Sequence, residues 1–124
     1  MDKTRMLEEA KSALCGARKN KKDTNTLAKA ALIEYQKAEE ELQNAEVEHD
    51  RLYIAMRHED VSNIVALSKQ ACVVHDKKFE VSRAYAVYFD LTEQAIKAAA
   101  ALKELKAKIK WLEGWKLVEG EDND

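Results

Sequence analysis

The side chains best suited to metal or nucleophilic chemistry are few: three histidines and two cysteines in 124 residues. Glu46-Val47-Glu48-His49 has a Glu-x-x-His spacing that puts a carboxylate and an imidazole on one helical face. Di-iron bundle sites need two such motifs and two further glutamates. Here His75 is preceded three residues earlier by Cys72, and His58 by Ala55. His49 also falls on an apolar helical seam, so the expectation is a packed or pH-sensitive seam histidine and no metal. Cys72 and His75 lie one turn apart, which is thiolate and imidazole spacing for a nucleophile. Such a pair also needs an orienting third group and an oxyanion site, usually built from loops or glycine turns. The chain has no proline and three glycines, so those parts are scarce. With no phosphate-cradling glycine loop and no Ser-His-Asp elbow, the expectation is a protein that is not an enzyme, with no cofactor and no small-molecule substrate.

Cys15 and Cys72 stand apart from any CxxC or finger spacing, which reads as buried or idle thiols in a reducing cytoplasm. No stretch approaches the roughly 20 apolar residues of a membrane span, and Met1-Asp2-Lys3-Thr4-Arg5 leads into no apolar signal core. A cytoplasmic location and no membrane partner are therefore expected. The 21 basic and 23 acidic residues nearly cancel, so self-repulsion does not oppose a compact state.

Alanine, glutamate, lysine and leucine dominate, which favours an all-α fold of long helices with few turns. Met6, Leu7, Ala10, Ala13, Leu14 and Ala17 recur at helical intervals, predicting a short helix over about 2–19. The polar run 18–26 then offers N-cap residues and a break. From about 24 to 57 a second helix carries Ala28, Ala31, Tyr35, Ala38, Leu42, Ala45, His49, Leu52 and Met56 in alternating steps of three and four, a heptad seam. Asp60 is placed to cap a third helix over about 61–113, stopped by Gly114 and roughly 80 Å long. The expected product is a long antiparallel helical hairpin in one domain, 1–118, followed by a flexible acidic tail at 119–124. In that register Cys15 and Cys72 sit roughly 45 Å apart and cannot bridge.

The third helix carries two apolar stripes, and one partner helix covers only one. One stripe holds Val61, Val65, Cys72, Phe79, Ala86, Phe89 and Ile96; the other includes Ile64, Leu67, Val74, Val81, Tyr85, Tyr88 and Ile109. The surplus predicts a homodimer or a foreign protein partner, with Ile64, Leu67, Val74, Val81, Tyr85, Tyr88, Trp111 and Trp115 as contact residues. Tryptophans four apart equally suit packing across the hairpin on Met6 and Leu7. The function this pattern suggests is non-catalytic protein binding, as in an adaptor, assembly chaperone or small inhibitor.

Charge suggests an alternative. The stretch 39–50 holds six acidic residues and no lysine or arginine, whereas Arg18, Lys19, Lys21 and Lys22 form one basic cluster and Lys103, Lys106 and Lys110 part of another. These seven could hold nucleic acid phosphates by counterion release, with the tryptophans as stacking surfaces. The acidic run could instead meet the basic region of a second copy, or mimic phosphate toward a nucleic acid enzyme.

Overall fold

The structure is a computed structural model that describes residues 3–57 and 63–122, with side chains at 3–57 and 64–114. Among the described residues there are two long helices and no strand: α1, Lys3–Arg57, and α2, Asn63–Asp122, packed against each other. The all-helical expectation holds. The break between helices at 2–19 and 24–57 does not, because α1 runs through the polar stretch without interruption.

Two features explain the continuity. The hydroxyls taken as cap candidates turn back into the helix: Thr24 Oγ1 donates to the Asn20 carbonyl at 2.8 Å, and Thr26 Oγ1 to the Lys22 carbonyl at 2.9 Å. Bonded in this way, a threonine continues a helix instead of starting one. The protected face also keeps its phase. Leu7, Ala10, Leu14, Ala17, Lys21, Thr24 and Ala28 are buried or half-buried in unbroken steps of three and four that run on into Ala31 and Tyr35. Lys21 and Thr24 are seam members that a search for apolar residues passes over.

Gly114 likewise fails to stop α2, which continues to Asp122 and takes in most of the stretch expected as a flexible tail. A lone helical glycine costs about 1 kcal/mol against alanine, too little to end a helix when no proline follows. The expected cap at Asp60 and first turn at Val61 lie outside the described residues.

The chain divides into two compact units, each built from a part of α1 and a part of α2. The terminal unit comprises Met1–Ala28 and Leu91–Asp124. Its core cluster is Leu7, Ala10, Ile109 and Leu112, with Met6, Leu14 and Leu105 packed on it, and Leu112 is only 2% exposed. Ala95, Ala98, Leu102 and Thr24 are buried in the same unit. Lys11 Nζ meets Glu113 Oε1 at 3.4 Å on its rim.

The central unit comprises Lys29–Asp90. Its contacts advance along α1 as they retreat along α2: Tyr35 meets Tyr85 and Tyr88, Glu41 meets Lys77, and the Ala45 carbonyl accepts from Gln70 Nε2 at 3.0 Å. The two helices are therefore antiparallel here. Ala31, Ala45 and Leu52 are its buried apolar residues, and the two alanines let the backbones approach closely.

Candidate functional site: the outward face of α2

In the central unit, the α2 face turned toward α1 is a seam of Leu67, Gln70, Val74, Lys77, Val81, Ala84 and Tyr88, all half-buried. Alternate layers are thus amide, ammonium or alanine. Gln70 is held by its bond to the Ala45 carbonyl, and Lys77 Nζ lies 3.2 Å from Glu41 Oε2 and 3.3 Å from Glu80 Oε2. Hydrogen bonding to those two carboxylates raises the Lys77 pKa above the ordinary lysine value. On α1, a bond to the Glu39 carboxylate raises the Tyr35 pKa. Glu48, bonded by Arg51 one turn on, is held below the usual carboxylate range.

The outward face of α2 is the inverse. Phe79 is 58% exposed and Phe89 52%. With Cys72, His75, Ser82 and Ala86, also exposed, they form a second row in alternating steps of three and four. A column of alternating charge, Lys69, Asp76, Arg83 and Asp90, runs along one side of this row, one residue after His75, Ser82 and Phe89. The Arg83 guanidinium lies 4.9 Å from the Phe79 ring centre, over its face. An aromatic chain leads from the inner seam to this surface: Tyr35 packs on Tyr85 at 5.4 Å, and Tyr85 on Phe89 at 6.3 Å.

The structure distributes the two stripes in a definite way. Leu67, Val74, Val81 and Tyr88, expected to meet a partner, are on the seam that α1 covers. Ile64, Tyr85 and Trp111 from the same set remain exposed, and the Trp115 side chain lies outside the described residues. The uncovered surface is the other stripe, through Val65, Cys72, Phe79, Ala86 and Phe89. Hydrophobic periodicity alone could not decide between the stripes, because the covered one completes its repeat with Gln70 and Lys77.

The remaining candidates fall as follows. His49 is half-buried on the α1 seam, its Nδ1 3.7 Å from Asp50 Oδ1. With Glu46, Asp50, Ala71, Val74 and Lys78 it lines an open groove of about 330 Å³. The thiols of Cys15 and Cys72 are free and exposed, so they are not buried as one reading had it. The basic residues Arg18, Lys19, Lys21, Lys22, Lys103, Lys106 and Lys110 all belong to the terminal unit, and Lys21 alone is half-buried, on the seam.

The chain matches no family model, no curated protein and no solved structure.

Proposed function

We propose that this chain is a non-catalytic protein-binding module whose docking surface is the outward face of α2 between Lys69 and Asp90. The observation that carries this reading is the exposure of Phe79 and Phe89 in a heptad-spaced row while the opposite side of the same helix is already occupied by α1. Monomeric soluble proteins seldom leave large contiguous apolar patches uncovered, and aromatic residues are favoured interface anchors because they bury much area for little entropy. Among the described residues of this face, no donors and bases converge in the way a catalytic centre requires.

The test is a photo-reactive amino acid in place of Phe79, activated in the native host. A specific crosslink to a defined protein, a second copy included, supports the reading. Absence of any crosslink there, with efficient labelling of a control protein, overturns it.

A second reading gains from one observation. Counting inward from Lys11 and Glu113 brings Arg18 to Lys22 level with the stretch from about Leu102 to Lys106, so the two basic clusters share one unit. That unit would hold nucleic acid phosphates, with affinity falling steeply as salt rises. Charge reversal at Lys106 and Lys110 should then abolish binding, and binding indifferent to salt removes the reading.

A further inference from the structure

We infer that the occupant of the outward face of α2 is a second copy of this chain, docked antiparallel about a two-fold axis passing between Glu80 and Val81. This deepens the reading above and rests on it. The face is self-complementary, which an isologous interface requires and a face shaped for a foreign partner does not.

In an antiparallel pair of helices, the two kinds of seam position meet each other across each layer. Centred between Glu80 and Val81, this rule sets Phe79 against Ser82 of the second copy, Cys72 against Phe89, and His75 against Ala86. Both phenylalanines of the row thus find a small side chain opposite, and the imidazole finds a methyl group. The flanking column then pairs by sign: Lys69 lies against Asp90 of the second copy and Asp76 against Arg83, each contact occurring twice by symmetry. Along the other rim Lys78 meets Tyr85, with no like-charge contact. All of these residues are exposed and lie in the central unit.

The parallel arrangement fails the same tests. It stacks each residue on its own copy, so that Phe79 meets Phe79 and Ser82 meets Ser82, and it brings Lys78 beside Arg83 of the second chain. Flanking charges of this kind set orientation and partner choice in coiled coils. Arg83 already lies along the face, over Phe79, in the place from which it would reach the carboxylate of Asp76 on the second copy.

The experiment is sedimentation equilibrium of the purified full chain at micromolar concentration. Wild type is expected to be a dimer. Asp76→Arg alone and Arg83→Asp alone should each weaken dimerisation by about tenfold or more, since each turns two attractive contacts repulsive. An equimolar mixture of the two variants should recover the dimer, because unlike copies restore both pairs, and the double substitution in one chain should recover it too. Circular dichroism verifies that every variant stays helical. The orientation has its own readout: the two Cys72 thiols should stand roughly 25 Å apart along the axis, so mild oxidation should not link the copies.

A monomeric wild type overturns self-pairing while leaving the docking reading to the crosslink at position 79. A dimer indifferent to both charge reversals, or one locked efficiently by a Cys72 disulfide, overturns the proposed geometry.

Discussion

The two units are made from the same two helices, yet they spend their apolar residues differently. In the terminal unit α2 turns Leu91, Ala95, Ala98, Leu102, Leu105, Ile109 and Leu112 toward α1, an unbroken apolar series. In the central unit the same series contains Gln70 and Lys77, while Phe79, Tyr85 and Phe89 stand outside it. All the exposed large apolar residues described, except Leu27, Ile96 and Trp111, belong to the central unit. The comparison suggests a division of labour, with the terminal unit closing the helices together and the central unit holding them in register by polar contacts. Seam polar residues fix register at some cost in stability. Hydrogen exchange should therefore open the central unit first.

The largest expected effect probes the better packed side. Leu112→Ala removes the least exposed side chain described and should cost about 2–5 kcal/mol in denaturant unfolding. Phe79→Ala, at an exposed position, should change the stability of a single copy by under about 0.5 kcal/mol. Comparable losses for the two would erase the distinction between the units.

Next comes repair of the weaker seam. Lys77→Leu replaces the half-buried ammonium with a side chain suited to its layer, and the carboxylates it leaves, Glu41 and Glu80, are about half exposed and remain hydrated. We expect a gain of about 1 kcal/mol, in line with hydrophobic replacement of polar groups in packed layers. A loss of stability would mean that the ion pairs hold the central unit together more strongly than apolar contact could.

A smaller gain is expected from Gly16→Ala in the terminal unit. A Cβ built at Gly16 meets nothing within 4 Å, so the substitution should collect the usual helix-interior advantage of about 1 kcal/mol or less. Melting at an unchanged or lower temperature would point to a close neighbour at Gly16, which the structure does not place there.

The legibility of this fold in its sequence follows the same division. Helix content and the α1 seam from Ala28 to Met56 could be read because apolar and polar residues there alternate with the helical period. The continuity of α1 could not, because Lys21 and Thr24 occupy seam positions with polar side chains, and the threonine hydroxyls that resemble caps are satisfied within the helix. The candidate site was legible in kind but not in place. Two stripes on α2 could be counted, but choosing the covered one required knowing that Gln70 and Lys77 lie inward, and their partners, Ala45 and Glu41, are distant in sequence.

The subtlest difference between the units should appear in alkali. Tyr35 and Lys77 both join α1 to α2 in the central unit, and hydrogen bonds to carboxylates raise both pKa values in the fold. A group whose pKa is raised by folding stabilises the native state fully below its unfolded value, and loses that contribution as pH climbs through the folded one. For a tyrosine and a lysine the window opens near pH 10. The terminal unit has no described counterpart: its cross-helix pair, Lys11 with Glu113, is exposed on both sides. Raising the pH from neutrality past about 10 should therefore speed amide exchange in the central unit, after correction for intrinsic rates, more than in the terminal unit. The change should be small, since both groups are only half-buried, and Lys77→Leu with Tyr35→Phe should remove the central unit's excess sensitivity. Equal acceleration in both units, or an effect that survives the double substitution, would show that the polar contacts of Tyr35 and Lys77 do not set the central unit's response.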